Sequence, residues 1–75
     1  MATFGNRLSE LRKQKNLKQK DVADHFGMAV RTYQNYEGGQ REPNFSILVA
    51  LADYFDVTTD YLLGRTDEPK QHSAP

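Results

Sequence analysis

The sequence predicts an all-α fold, a compact domain of five short helices. Apolar residues recur at intervals of three and four in several segments, and no segment alternates apolar and polar residues as a half-buried strand would. Glycine, asparagine and proline interrupt these segments at short intervals, which predicts tight turns between the helices. The 75 residues suffice for one small domain, which buries about 60% of the surface that its unfolded chain exposes.

The first helix is predicted over residues 4–15. Phe4, Leu8 and Leu11 lie four and three residues apart, so they share one face of the helix. Thr3 suits the N-cap because its hydroxyl can accept a hydrogen bond from the first turn, and Asn16 can end the helix.

Two further helices joined by a turn are predicted over residues 19–39. The first has an inward apolar face of Val22, Ala23 and Phe26 and is ended by Gly27. The second, over about residues 30–37, turns Tyr33 and Tyr36 inward. Its opposite side carries small, polar and basic residues, namely Val30, Arg31, Gln34 and Asn35. Because such side chains can contact base edges in the major groove, this segment is interpreted as a helix-turn-helix that binds DNA.

The last two helices follow a break at residues 42–44. Asn44 is the predicted N-cap of the fourth helix, which is the most apolar and is therefore expected to be central. Its predicted inner face consists of Phe45, Leu48, Leu51, Ala52 and Phe55. Thr58 is the predicted N-cap of a short fifth helix that Gly64 closes. The DNA-binding domain is therefore expected to span residues 1–65, and residues 66–75 are predicted to form a disordered tail.

Composition argues against several kinds of site. The chain has no cysteine, so neither a disulfide nor a thiolate zinc site is available, and its two histidines are isolated. Since neither histidine has a catalytic partner at a suitable spacing, we expect no enzyme, no metal and no cofactor. Its apolar runs fall well short of the ~20 residues of a membrane span, and the N-terminus lacks the features of a signal peptide. A cytoplasmic protein held together by packing alone is expected.

Charge is unevenly distributed along a chain whose formal net charge is zero. Residues 1–41 carry eight basic and four acidic residues, a balance of +4, whereas residues 42–65 carry −3 and the remainder −1. This polarisation suggests a basic face toward DNA and an acidic face away from it. A small domain can also show such an imbalance by chance.

These residues resemble the lambda-repressor-like DNA-binding domains of the Cro/repressor, xenobiotic-response-element type. The motif residues that carry the resemblance are Leu17, Gln19, Val22, Ala23, Gly27 and the run Tyr36-Glu37-Gly38-Gly39. Further matches are the runs at 41–44, 51–55 and 61–64, so the resemblance covers about residues 4–65. It implies a five-helix domain in a prokaryotic or phage transcriptional regulator, most often a repressor, that binds double-stranded DNA with two half-sites as a homodimer.

The resemblance also implies roles for individual residues. The positions implied to contact bases are Val30, Arg31, Gln34 and Asn35, although many relatives have a polar residue in place of Val30. Gln19 is implied to contact phosphate and to brace the second helix of the motif, the recognition helix, and Thr32 is implied to contact phosphate. Gln34 could contact phosphate instead of a base. Arg12 and Glu37 match an ion pair between the first and third helices of some relatives.

Other assignments rest on the residues themselves. Arg41 follows two glycines in a loop suited to phosphate, where backbone N–H groups could also contribute. Compared with the family that the chain resembles, Lys18 and Ala29 stand where relatives commonly have a serine or threonine cap. A lysine at a helix start opposes the helix dipole unless an anion lies there, so Lys18 is interpreted as a phosphate contact. The dimer surface is predicted around Val57, Tyr61 and Leu62, since the apolar residues exceed what a small core hides, although they could instead close that core.

Several alternatives remain open from sequence. The chain could be an antitoxin or another protein-interaction module with secondary DNA binding, or the DNA-binding part of a longer regulator. The tyrosines could stack on single-stranded bases, but their helical spacing favours the core.

Overall fold

Five α-helices make up the regular structure of the computed structural model, which describes residues 3–70. In chain order they are α1 (Phe4–Gln14), α2 (Gln19–His25), α3 (Val30–Gly38), α4 (Phe45–Tyr54) and α5 (Thr59–Leu62). Residues 3–70 contain no β-strand. The predicted all-α architecture of five helices is confirmed.

Side-chain caps begin three of the helices at the predicted residues. The Thr3 hydroxyl oxygen accepts a hydrogen bond from the backbone of Asn6 at 3.2 Å, and the Asn44 side-chain oxygen accepts one from Ile47 at 2.9 Å. The Thr58 hydroxyl caps α5 in the same way. Because these caps use neighbouring residues only, the local sequence is sufficient to place them.

The core is organised around α3, which packs against both α1 and α2. Tyr33 is fully buried and Tyr36 is nearly so, as their predicted inward positions require. The other buried apolar residues are Leu8, Leu11, Val22, Ala23, Leu51, Ala52, Phe55 and Leu62. The expectation that the apolar α4 would be central is wrong, because α4 packs mainly against α5.

Phe45 is the clearest departure from the predicted core. Its side chain is 87% exposed, although the apolar spacing of α4 placed it on the inner face. Phe45 is the first residue of α4 and lies at the edge of the apolar stripe, where a helical side chain points back beyond the end of the helix. Val49, one turn later, is half exposed, so this row of α4 faces solvent.

Residues 66–70 lie against the domain, and Arg7 holds the first two of them. The guanidinium of Arg7 is buried and donates to the carbonyl oxygens of Tyr61 and Thr66, and it pairs with the carboxylate of Asp67 at 2.6 Å. It also lies 4.0 Å from the centre of the Tyr61 ring. The prediction of a disordered tail from residue 66 does not anticipate these contacts, and the rest of that tail lies outside the described residues.

Candidate nucleic-acid interface

The helix-turn-helix is formed by α2, α3 and the turn between them. Gly27 adopts a φ of 67°, a left-handed conformation that favours glycine and ends α2. The backbone N–H of Met28 then donates to the carbonyl oxygen of Ala23 at 3.0 Å, which folds the turn back onto α2. Burial of Val22 and Tyr33 holds the two helices together. The opposite side of α3 is therefore left accessible.

Residues predicted to contact bases lie along that accessible side of α3. Val30 is 39% exposed, and Arg31 and Gln34 are exposed. Asn35 is partly buried, as is Thr32, which is predicted to contact phosphate. The surface thus offers a guanidinium and an amide from adjacent turns of one helix, together with an aliphatic group. These groups match guanine, adenine and the thymine methyl, respectively.

The loop after α3 is closed by its own backbone. Gly39 takes a φ of 81°, and the N–H groups of Gln40 and Arg41 both donate to the carbonyl oxygen of Asn35. These two N–H groups are therefore occupied, and the idea that they could hold a phosphate is wrong. The side chain of Arg41 is exposed beside them, so the loop can offer its cation.

Two lysines lie near the start of α2. Lys18 is exposed at the N-cap, where its own backbone N–H donates to the side chain of Asp21 at 2.8 Å. Within residues 3–70 no carboxylate pairs with the ammonium of Lys18, whereas Lys20 pairs with Asp24. The Lys18 ammonium is thus free to meet an anion at this helix end.

Arg12 and Glu37 join α1 to α3 beneath this surface. The Nε of Arg12 lies 2.7 Å from Oε2 of Glu37, and its Nη2 lies 3.2 Å from Oε1. The two side chains are only 12% and 7% exposed. Arg12 also donates to the carbonyl oxygen of Leu17 at 2.9 Å, so it fixes the connection between α1 and α2 as well.

Glu37 is held in its ionised form by these contacts. Burial by itself would raise the pKa of the carboxyl, but Arg12, with smaller contributions from Tyr33 and Gln19, outweighs burial and leaves the pKa below its usual value. Burial raises the pKa of the neighbouring Tyr33, and the Glu37 carboxylate adds to that effect. Among residues 3–70 the Tyr33 hydroxyl has no hydrogen-bond partner, but it lies close enough to Glu37 and Arg12 to contribute to the shifts in their pKa values.

Two glutamines extend this group to the protein surface. The amide nitrogen of Gln19 donates to Glu37 at 3.1 Å, and its amide oxygen accepts from the amide nitrogen of Gln34 at 3.2 Å. From the sequence, Gln19 is connected with the recognition helix only through the family resemblance. The hydrogen bond between Gln19 and Gln34 could not be predicted, since the two residues are 15 positions apart and meet only when α2 and α3 pack.

The predicted dimer residues have different environments. Leu62 is fully buried within the chain, so its side chain belongs to the core of this domain. Val57 and Tyr61 are partly buried, and the Tyr61 ring lies against Arg7. Leu63, which follows the buried Leu62 in the chain, is 44% exposed.

Comparison with known proteins identifies the family. The helix-turn-helix family model matches residues 8–62, which include α2, α3 and most of the core. The chain belongs to the helix-turn-helix family. This family assignment agrees with the lambda-repressor-like resemblance carried by the motif residues.

Several proteins that are similar to this chain in sequence or structure are named as transcriptional regulators. It is 49% identical over 70 residues to the regulator AnsR of Bacillus subtilis, covering 93% of this chain and 59% of that protein. It is 37% identical over 67 residues to the cryptic phage CTXphi transcriptional repressor RstR of Vibrio cholerae, covering 87% of this chain and 60% of the repressor. A crystal structure of a transcriptional regulator from Listeria innocua matches with a TM-score of 0.79 at 33% identity, covering 88% of this chain and 62% of that one. The chain thus spans about three fifths of these relatives' length.

Proposed function

We propose that this chain is a sequence-specific double-stranded DNA-binding repressor that acts in the cytoplasm. The observation that carries the proposal is the two-sided α3, whose tyrosines are buried while Arg31 and Gln34 face outward. The named relatives include a phage repressor, which favours repression of a similar kind. Neither a nucleophile nor a metal enters the proposed function, which is binding alone.

Roles at the DNA follow from chemistry and position. Arg31 is proposed to read guanine, since a guanidinium can donate to both the O6 and N7 acceptors of that base. Val30 is proposed to contact a thymine methyl, and Asn35 reaches a base edge from the same helix. Phosphates are proposed to be held by Lys18, Gln19, Thr32 and Arg41. These contacts fix the register of α3 in the groove, and the base contacts supply sequence preference.

The repressor is proposed to bind as a homodimer. One short recognition helix covers few base pairs, whereas two related by a two-fold axis read half-sites about 34 Å apart and multiply specificity. Since Leu62 is buried, the contact is proposed to involve Val57 and Tyr61 with the exposed Leu63 beside them. Sedimentation of the Leu63→Asp variant tests this. It should shift toward monomer, whereas Val49→Asp, which alters the similarly exposed Val49 on α4, should not.

Selection of binding sites from random duplex DNA tests the proposed function. The enriched site and a scrambled duplex are then titrated with purified protein at several salt concentrations. We expect an inverted repeat that binds at least ~10³-fold more tightly than the scrambled duplex. Weak binding that is indifferent to sequence and lost as salt rises would leave only a phosphate-binding patch, and a protein partner would then be the better candidate.

A further inference from the structure

The amides of Gln19 and Gln34 form the outer end of a hydrogen-bonded chain that begins at the buried Glu37. Glu37 accepts from Nε2 of Gln19, and Oε1 of Gln19 accepts from Nε2 of Gln34. The inner end is fixed, since Arg12 donates hydrogen bonds to both carboxylate oxygens of Glu37. Gln34, at the outer end, is exposed to solvent.

The chemistry of the carboxylate sets the direction of every amide in this chain. An ionised carboxylate can only accept hydrogen bonds, so Gln19 must turn its NH₂ group toward Glu37. Its oxygen then points toward Gln34, and only the NH₂ group of Gln34 can satisfy it. Reversing either amide would bring two acceptors or two donors face to face, which loses a hydrogen bond and adds repulsion.

Gln34 is consequently left with a defined pair of groups for a ligand. Its amide oxygen and the second N–H of its amide nitrogen take no part in the chain to Glu37. The residue follows Val30 and Arg31 by four and three positions, so it shares their outward side of α3. An acceptor beside a donor, on this side of the helix, faces the DNA in the proposed complex.

We propose that Gln34 reads adenine in the major groove, with its amide held in the reading orientation by Glu37 through Gln19. Adenine presents the N6 amino donor beside the N7 acceptor, which match the amide oxygen and the amide N–H of glutamine. Guanine presents two acceptors there, so the amide oxygen would face another oxygen. This inference rests on the proposed function and assigns to one residue the base that it recognises.

Site selection with wild-type protein and the Gln34→Ala variant locates the base that Gln34 reads. Both proteins are then titrated against the selected site with each of the four bases at that position. Wild-type protein should favour adenine there by roughly tenfold or more. In Gln34→Ala the affinity for adenine relative to the other bases at this position should fall close to one, while base preferences elsewhere in each half-site persist. Gln34 is exposed, so this variant should keep the wild-type melting temperature.

The Gln19→Met variant tests the orienting chain separately. Methionine has a similar length but offers neither hydrogen bond, so the Gln34 amide becomes free to turn. Affinity for all sites should fall together, since Gln19 is also a proposed phosphate contact, and the adenine preference at the Gln34 position should fall several-fold in addition. An unchanged adenine preference in Gln19→Met would overturn the role of the chain.

The outcomes separate this inference from the function on which it rests. If wild-type protein enriches no sequence, the proposed function fails. If it enriches an inverted repeat and Gln34→Ala leaves every base preference unchanged, or alters a position where adenine is not preferred, then only the reading of adenine by Gln34 is overturned.

Discussion

Arg12 and Glu37 show how one buried pair supports the whole interface. Arg12 contacts α3 through Glu37 and contacts the α1–α2 connection through the carbonyl oxygen of Leu17. A buried ion pair need not add net stability, because removing both charges from water is costly. The pair instead holds neighbouring side chains in place. The Glu37 carboxylate accepts a hydrogen bond from Gln19, which in turn accepts one from Gln34 on the outward side of α3.

Loss of Arg12 should therefore be costly. The Arg12→Met variant leaves the Glu37 carboxylate buried without its cation, and the free energy of unfolding should fall by about 3 kcal/mol. Urea denaturation measures this. Lys20→Met is the matched control, since it breaks the solvent-exposed pair with Asp24, and it should leave the denaturation midpoint unchanged. Equal effects of the two variants would contradict the buried role of Arg12.

The lowered pKa of Glu37 predicts a specific loss of stability in acid. A carboxyl whose pKa is lower in the folded than in the unfolded state stabilises the fold above its unfolded pKa, near the ordinary value of 4.5. That stabilisation is lost as pH falls through the lower folded pKa. Thermal unfolding of wild type and Glu37→Gln from neutral pH into acid should show a stability difference that narrows below pH 4.5. A difference that stays constant would contradict this account of Glu37.

The contact between α1 and α3 depends on a glycine that sequence analysis did not single out. A methyl group at Gly5 would lie 2.3 Å from the carbonyl oxygen of Glu37 and 3.1 Å from that of Tyr36. Both atoms belong to the backbone of α3, so they cannot move aside independently. The absence of a side chain at Gly5 thus allows the first turn of α1 to approach the end of α3.

Gly5→Ala should consequently destabilise the protein by about 1–3 kcal/mol, despite the better helix propensity of alanine. Gly38→Ala provides the comparison. The three atoms nearest to the added methyl belong to the side-chain end of Gln40, which can rotate away. Chemical denaturation should show a clear loss for the first variant and none for the second, and a stable Gly5→Ala protein would show that α1 and α3 can separate at no cost.

The N-cap of α2 is a position where stability and the proposed DNA binding favour different residues. Lys18 has the extended backbone of an N-cap but supplies no side-chain cap. Lys18→Thr should raise the free energy of unfolding by about 1 kcal/mol, because the hydroxyl can accept from the first turn. If Lys18 contacts phosphate, the same variant should weaken binding to all sequences equally. It should also reduce the salt slope, the dependence of log binding constant on log salt concentration, by about one.

Lys13→Gln is the control for that experiment, since it removes an equal charge from the exposed side of α1. It should change neither the salt slope nor the affinity. A Lys18→Thr protein with higher stability and unaltered DNA binding would remove Lys18 from the phosphate contacts.

Local sequence was sufficient to predict the helices because their ends depend on neighbouring residues. Thr3, Asn44 and Thr58 cap helices through contacts three positions away, and Gly27 ends α2 through its own backbone conformation. Contacts that arise from packing could not be predicted in this way. The burial of Arg7 and the close approach at Gly5 depend on elements distant in sequence, and the exposure of Phe45 depends on where α4 begins relative to the core.

At the level of the whole molecule, the basic residues are concentrated in the part of the chain that contains the candidate nucleic-acid interface. The first 41 residues, which include α1, α2 and α3, carry a balance of +4, and the remaining 34 carry −4. An uncharged total therefore does not argue against a nucleic-acid partner, since the attraction depends on the local field at α3. Binding should remain sensitive to salt even though the net charge is zero.

The central claim is that the outward side of α3 reads base sequence, and the Arg31→Ala variant tests it most directly. Its affinities for the selected operator and for a scrambled duplex are compared with those of wild type and of Arg65→Ala, an exposed arginine beyond α5. Arg31→Ala should lose about 1–3 kcal/mol of discrimination and relax the preference at one base pair of each half-site, while Arg65→Ala keeps the wild-type ratio. If Arg31→Ala kept the full wild-type discrimination, that result would contradict the assignment of Arg31 as a base-reading residue of α3.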